Sequence, residues 1–152
     1  MHRLLIIYHS QSGTTARMKD AVLTGTAAEP DVEVICKRAF DANLDDLLLC
    51  NGLIIGTPEN FGYMSGAIKD FFDRTYYPAE RKTVGMPYAL FISAGDDGSG
   101  AVREIKRIAT GYGWKLVADP VVARRDERAD DYLRHCEVLG ESMATGIALG
   151  IF

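Results

Sequence analysis

The sequence contains little cysteine, and its cysteines are poorly placed for cross-linking or for metal binding. Cys36, Cys50 and Cys136 lie far apart, none belongs to a CxxC pair, and none has a histidine at metal-ligand spacing. We interpret them as small buried hydrophobic residues in a reducing compartment, and we expect no metal site. A redox-active thiol is the less favoured alternative.

Long hydrophobic segments and an excess of basic charge are also absent. No stretch approaches the ~20 apolar residues of a spanning helix, and the apolar stretch Leu4–Ile7 is shorter than a signal-peptide core. The net charge of -4 gives nucleic acid little to bind, and the densest basic cluster, Arg124, Arg125 and Arg128, is interleaved with acids. We interpret that cluster as the solvated start of a helix. The sequence therefore predicts a cytoplasmic protein without a membrane or nucleic-acid partner.

The 152 residues present short apolar runs that alternate with longer segments of helical periodicity. This alternation is typical of βαβ units around a mostly parallel sheet, in which strands buried on both faces are continuous apolar runs. The predicted strands are Leu4–Tyr8, Val32–Cys36, Leu53–Gly56, Tyr88–Ser93 and Lys115–Ala118, with the last resuming at Val121–Ala123. Right-handed crossovers then give a doubly wound α/β sandwich in a single domain over residues 1–152.

Four further segments place apolar residues at helical spacing. Their apolar positions are Met18, Ala21, Val22 and Gly25; Met64, Ile68, Phe71 and Phe72; Val102, Ile105, Ile108 and Ala109; and Tyr132, Cys136, Leu139, Met143 and Ile147. The last helix is predicted to start near Asp126 and to stop at Gly150. We interpret these stripes as core faces that need no cofactor role. Asp41–Cys50 has room for only one or two helical turns.

The loop after the first strand, His9–Thr15, combines four hydroxyl side chains, one glycine and the start of a helix. Free backbone N–H groups and the positive end of the helix dipole favour an anion at such a place, and the hydroxyls are further donors. The loop lacks the lysine of a GxxxxGK[ST] motif and the glycine spacing of GxGxxG. We therefore predict a phosphate site here. The simpler alternative is a helix N-cap formed by Ser12.

The loops after the third and fourth strands lie at the same edge of the sheet. Gly56–Gly66 is rich in aromatic and turn residues, and it forms either a shelf for a planar cofactor or a structured turn with buried aromatics. Ser93–Gly100 has three glycines, and its Asp96 and Asp97 suit turn and N-cap roles better than cofactor contacts. Together the three loops predict a mononucleotide with a flat ring, bound at the carboxyl edge of the sheet.

Two of these segments resemble the flavodoxin-like FMN proteins, in particular the NAD(P)H-dependent FMN and quinone reductases that include the WrbA-like enzymes. YHSQSGTTARM resembles the family's phosphate loop [ST]-x-[ST]-G-x-[ST], which matches Ser10, Ser12, Gly13 and Thr15. GTPENFGYMSGAIKDFFDR resembles the reductase pattern G-[ST]-P-x-[YF]-x-x-x-[MS]-[ST]-[GA]-x-[LM]-K-x-F-x-D-R, with small changes of spacing. The order of elements agrees over nearly the whole chain. The resemblance implies a flavodoxin-like three-layer α/β/α sandwich with a five-stranded parallel sheet of order 2-1-3-4-5.

The resemblance also implies FMN as the cofactor and NAD(P)H as the electron donor. It assigns the FMN phosphate to Ser10, Gln11, Ser12, Gly13, Thr14 and Thr15, one side of the flavin ring to Thr57, Pro58, Glu59, Asn60, Phe61 and Gly62, and the other edge to Ser93, Ala94 and Gly95. No catalytic residue is predicted beyond this lining. Tyr63 is the candidate for stacking on the second substrate.

The implied function is an oxidoreductase that accepts hydride from NAD(P)H and reduces a quinone or a flavin. The loop after the fourth strand lacks the aromatic ring that sandwiches flavin in electron-carrier flavodoxins, and the chain is less acidic than those carriers. The alternative is a flavodoxin-type electron carrier with a redox partner protein, no nicotinamide activity and a long-lived semiquinone. Because the chain is short for a quinone reductase, a homodimer or a higher homo-oligomer is a candidate source of the second-substrate pocket.

Two other classes are disfavoured by particular residues. A phosphoacceptor signalling module needs an acidic pair after the first strand and an Asp at the end of the third, where this chain has His9, Ser10 and Thr57. A binding module that has lost its cofactor is disfavoured because the phosphate loop is intact.

Overall fold

The structure, a computed structural model, describes residues 1–152 as strands and helices that alternate from end to end. The strands are β1 (His2–Tyr8), β2 (Val32–Arg38), β3 (Gly52–Pro58), β4 (Pro87–Ala94), β5 (Lys115–Leu116) and β6 (Val121–Arg124), and the helices are α1 (Thr14–Thr26), α2 (Leu44–Leu49), α3 (Gly66–Ala79), α4 (Ser99–Tyr112) and α5 (Ala129–Ala148). Every predicted strand is present, to within two residues at each end.

All strand pairs are parallel, and the sheet order is β2-β1-β3-β4-β5, with β6 also paired to β4. The strands β5 and β6 share the edge position beside β4, so they are two parts of one interrupted fifth strand. Pro120 lies in the interruption, and proline has no N–H with which to continue the ladder. The predicted order 2-1-3-4-5 and the predicted resumption at Val121 are confirmed.

Alternate residues of the central strands face two separate apolar layers. Leu5, Ile7, Leu53, Ile55, Leu90 and Ile92 pack under α3 and α4 together with Phe71, Phe72, Tyr112 and Trp114. Leu4, Ile6, Ile54, Ala89 and Phe91 pack on the other face under α1 and α5. A sheet covered on both faces is the predicted three-layer α/β/α sandwich. None of the five helices combines the length and the apolar character that a membrane crossing requires.

The helices α1 and α5 approach each other backbone to backbone. A Cβ atom at Gly25 would overlap the carbonyl oxygen of Glu137, and one at Gly140 would overlap the carbonyl oxygen of Val22. Only glycine permits this separation of the two helices. This contact holds the C-terminal part of α1 against α5.

Three details differ from the sequence-based expectation. The last helix begins at Ala129 rather than near Asp126, because a turn closed by Glu127 N–H donating to the Arg124 carbonyl (3.0 Å) follows β6 directly. Met64 is buried but precedes α3, whose N-cap is Ser65. Of the cysteines, only Cys136 is fully buried, whereas Cys36 and Cys50 are half-buried.

Candidate functional site

A cleft of about 640 Å³ opens at the carboxyl edge of the sheet, within the size range of small-molecule sites. Its lining comes from the ends of β1, β3, β4 and β6 and from the start of α5. The residues are Gln11, Ser12, Thr14, Thr15, Pro58, Asn60, Ser93, Ala94, Gly95, Ala123, Arg124, Arg125, Glu127 and Tyr132. Such a crevice at strand ends is where open α/β sheets bind ligands.

The first loop presents unpaired backbone donors at one end of the cleft. Gly13 is the N-cap of α1 with φ 104°, a left-handed conformation that glycine adopts without strain. The N–H groups of Gln11–Thr15 donate to no group of the chain, whereas the Ala16 N–H donates to Ser10 Oγ at 3.1 Å. No acid lies in the first turn of α1. Free amides at a positive helix end favour an anion at this end of the cleft.

Two side-chain hydrogen bonds join the loops across the cleft. Thr15 Oγ1 lies 2.8 Å from Ser93 Oγ, which connects α1 to the end of β4. Asn60 Nδ2 donates to Gln11 Oε1 at 3.2 Å, which connects the third-strand loop to the first. The structure therefore brings the three predicted loops together around one cleft.

The loop after β3 carries a tight two-residue turn. Asn60 and Tyr63 exchange backbone hydrogen bonds of 2.8 and 3.0 Å, and Phe61 and Gly62 between them have φ values of 52° and 69°. Two successive positive φ values are typical of a type I′ turn. The turn exposes the Phe61 ring completely and leaves Tyr63 half-buried. At the base of the loop, buried Thr57 Oγ1 accepts from Ser65 N–H at 3.0 Å.

Two acids near the cleft are occupied in holding α4. The Glu59 carboxylate accepts from Ala101 N–H at 3.0 Å, at the N-terminal end of that helix. Asp97 Oδ1 accepts from Ser99 N–H at 3.0 Å and from Ser99 Oγ at 2.8 Å. These donors lower the pKa of Asp97, because they favour the ionised carboxylate. The turn role predicted for Asp97 is confirmed.

Nine of the fifteen predicted cofactor residues line the cleft. They are Gln11, Ser12, Thr14, Thr15, Pro58, Asn60, Ser93, Ala94 and Gly95. The other predicted residues lie behind or beside the lining, where they shape the loops. They are Ser10, Gly13, Thr57, Glu59, Phe61, Gly62 and the predicted substrate residue Tyr63. Their contact with a ligand stays a prediction.

Sequence reasoning missed the wall formed by the turn after β6. Arg124 and Arg125 were interpreted as a solvated helix start, yet both line the cleft, and so does the Tyr132 ring of α5. Arg17 was also missed; it lies on α1, and its Nη2 is 3.4 Å from Thr14 Oγ1 beside the phosphate loop. The available signal was the predicted strand Val121–Ala123, because parallel strands end at the same edge of the sheet, so the residues that follow it reach the edge where the cleft opens.

The cysteines take no part in this arrangement. None of them lines the cleft, and burial raises the pKa of Cys50 and of Cys136 to about 12. Burial also raises the pKa of Cys36. The thiolate, which is the reactive form, is therefore disfavoured at neutral pH.

The comparison with known proteins agrees with this geometry. Residues 14–127 match the family described as NADPH-dependent FMN reductase. The chain belongs to this family. Membership of this family confirms the predicted FMN cofactor and NAD(P)H donor. It also shows that the protein is an FMN oxidoreductase.

The relatives of this family member carry two kinds of name, flavodoxin and NAD(P)H dehydrogenase (quinone). A flavodoxin of Aquifex aeolicus (strain VF5) is 27% identical over 164 residues, 98% of this chain and 89% of the relative. An NAD(P)H dehydrogenase (quinone) of Acidithiobacillus ferrooxidans is 31% identical over 114 residues, 61% of this chain and 57% of the relative. A solved flavodoxin from the domain Archaea superposes with a TM-score of 0.82 at 25% identity, over 96% of this chain and 99% of the other.

Proposed function

We propose that the protein binds FMN in the cleft and uses it to transfer electrons from NAD(P)H to a quinone or to a flavin. The observation that supports this most directly is the row of five unpaired amides, Gln11–Thr15, at the N-terminus of α1. These amides fit a phosphate monoester, and the cleft continues from them along the ends of β3 and β4 far enough for a mononucleotide.

The proposed FMN site contains all of the cofactor-binding residues predicted from the sequence. The phosphate group lies with Ser10, Gln11, Ser12, Gly13, Thr14 and Thr15; the ring lies between Thr57, Pro58, Glu59, Asn60, Phe61 and Gly62 on one side and Ser93, Ala94 and Gly95 on the other. The chemistry that FMN supplies when bound is hydride acceptance and electron transfer. The protein's own residues hold the phosphate, orient the ring and leave one ring face open.

An open ring face is what separates a reductase from a carrier. No aromatic residue lies between Gly95 and Gly100, and the Phe61 ring projects from its turn into solvent. The aromatic residue that lines the cleft, Tyr132, comes from α5. A nicotinamide or quinone therefore has access from the side of the Phe61 turn, where we place the second substrate beside Tyr63. Any further residues that enclose the second substrate would come from a second copy of the chain.

The purified protein reconstituted with FMN tests this proposal. NADPH and NADH are added separately under anaerobic conditions while the absorbance of the oxidised flavin is followed. Bleaching by either nucleotide, and its reversal by a quinone, is expected. Bleaching by dithionite alone would contradict the reductase function, and failure to retain FMN would contradict the site.

A carrier function is the second candidate, because one observation favours it. The relative named flavodoxin aligns with 98% of this chain and 89% of its own length, and the solved archaeal flavodoxin aligns with 96% of this chain and 99% of its own, so the chain has the extent of a flavodoxin. A second relative named NAD(P)H dehydrogenase (quinone) also aligns with 96% of this chain. A carrier would exchange electrons with a redox partner protein and leave NAD(P)H unoxidised. Anaerobic titration with dithionite distinguishes the two, because a carrier accumulates the one-electron-reduced form and a hydride-accepting reductase does not.

A further inference from the structure

The wall of the cleft formed by the turn after β6 carries one uncompensated positive charge. Arg124 Nε donates to Glu127 Oε1 at 2.9 Å, so these two side chains neutralise each other. Arg125 forms neither a hydrogen bond nor an ion pair within the chain, although it lines the same wall. The guanidinium of Arg125 therefore contributes an unpaired positive charge to the cleft.

The fold places this charge at a defined position. Ala94, the last residue of β4, is in register with Arg124, the last residue of β6, so that Gly95 and Arg125 leave the sheet side by side. The guanidinium lies against Gly95, with Nη2 3.2 Å and Cζ 3.8 Å from the point that a Cβ atom of residue 95 would occupy. Arg125 is therefore beside the loop that walls one edge of the proposed flavin ring.

We propose that Arg125 stabilises the negative charge that the flavin ring acquires on two-electron reduction, and so sets the site for hydride rather than single-electron chemistry. This inference rests on the proposed function. Hydride transfer breaks a C–H bond of the reduced nicotinamide and forms an N–H bond on the ring; the electron pair moves with the hydrogen. The nicotinamide becomes cationic and the ring anionic. A guanidinium at the ring edge compensates that charge without any proton transfer.

The phosphate end of the cleft has its own donors, which is why we assign Arg125 to the ring. The amides of Gln11–Thr15 are free at that end, and Arg17 lies beside them. The acids that flank Arg125 form no ion pair with it: Glu127 is paired with Arg124, Asp97 accepts from Ser99, and Asp126 is exposed and does not line the cleft. Asp96 is exposed and does not line the cleft.

The test compares three variants of the FMN-loaded protein. Arg125→Gln keeps a donor but removes the charge, Arg125→Lys keeps the charge, and Arg128→Gln is the matched control. Arg128 is an exposed neighbour whose guanidinium lies 3.9 Å from Asp130 Oδ2 and does not line the cleft. The measurements are the two-electron midpoint potential and the dissociation constants of oxidised FMN, reduced FMN and riboflavin, with circular dichroism to confirm that each variant is folded.

We expect Arg125→Gln to weaken binding of reduced FMN about tenfold relative to oxidised FMN, which corresponds to a fall in potential of roughly 30 mV for a two-electron couple. More one-electron-reduced form should accumulate during titration. Arg125→Lys should retain most of the wild-type potential, and Arg128→Gln all of it.

Three results would overturn the inference. An unchanged potential in folded Arg125→Gln protein would show that the charge does not act on the ring. Weaker FMN binding with unaltered riboflavin binding would assign Arg125 to the phosphate instead. Equal losses in both redox states would indicate a structural role. If the wild-type protein itself fails to bind FMN, the proposed function fails, and that outcome is distinct from all three.

Discussion

The two ends of the cleft are built from different parts of the chain. At the α1 end, the groups that face a ligand are backbone amides, and the helix that carries them packs against α5 through Gly25 and Gly140. At the Gly95 end, the cleft is bounded by the end of β4 and by the side chains of Arg124 and Arg125 in the turn after β6. In the proposed FMN site, backbone geometry therefore governs affinity for the phosphate, whereas side chains govern the redox behaviour of the ring.

The largest effect should come from separating α1 from α5. Gly140→Ala puts a Cβ atom into the Val22 carbonyl oxygen, and we expect a loss of about 2–3 kcal/mol in the free energy of unfolding, as overpacked cores show. Urea denaturation measures it. Gly66→Ala is the control, because a Cβ atom there has no neighbour within 4 Å. Equal stability of the two variants would contradict backbone contact as the anchor of the α1 end.

The next effect should come from the bond that joins the two ends. Thr15→Val preserves shape but leaves Ser93 Oγ without its 2.8 Å partner and removes a hydroxyl from the phosphate loop. We expect FMN binding to weaken about fivefold, since a hydroxyl hydrogen bond contributes about 1 kcal/mol. Fluorescence titration of the apoprotein measures it. Thr24→Val, on the exposed part of α1, should bind FMN as the wild type does.

A smaller effect on FMN binding should distinguish the phosphate end of the cleft from the ring end. Arg17→Gln removes a charge beside Thr14, and we expect the FMN dissociation constant to rise about threefold, as for a solvent-exposed ion pair, with no change for riboflavin. Arg103→Gln, on α4, serves as the control. If Arg17→Gln weakened riboflavin and FMN alike, Arg17 would belong to the structure of the loop rather than to the phosphate site.

The smallest effect concerns strain in the turn at the ring end. Phe61 and Arg81 are the two residues other than glycine with positive φ, at 52° and 66°. Asparagine tolerates this conformation, so Phe61→Asn and Arg81→Asn should each stabilise the protein by about 0.5 kcal/mol in urea denaturation. Only Phe61→Asn should raise the KM for a quinone. An equal rise of the quinone KM in Arg81→Asn would show that the Phe61 turn is not part of the second-substrate site.

Much of the fold was readable from local pattern. Runs such as Leu4–Ile7 and Leu53–Ile55 are apolar at every position because both sheet faces are covered, and the loops that follow them combine glycine with hydroxyl and turn residues. The interruption of the fifth strand was readable too, from Pro120. The first residue of α5 was not, because the turn at Arg124–Glu127 has the same composition as a helix start.

The sequence by itself determined the order of strands and helices, the three loops and the type of anion site, because these depend on residues close together in the chain. Only the tertiary structure decided that Arg125 lies beside Gly95, that the Glu59 carboxylate accepts a hydrogen bond from α4, and that Phe61 points into solvent. The physical reason is that sheet register and helix packing juxtapose residues far apart in sequence. Ala94 and Arg124 are neighbours solely because β6 pairs with β4.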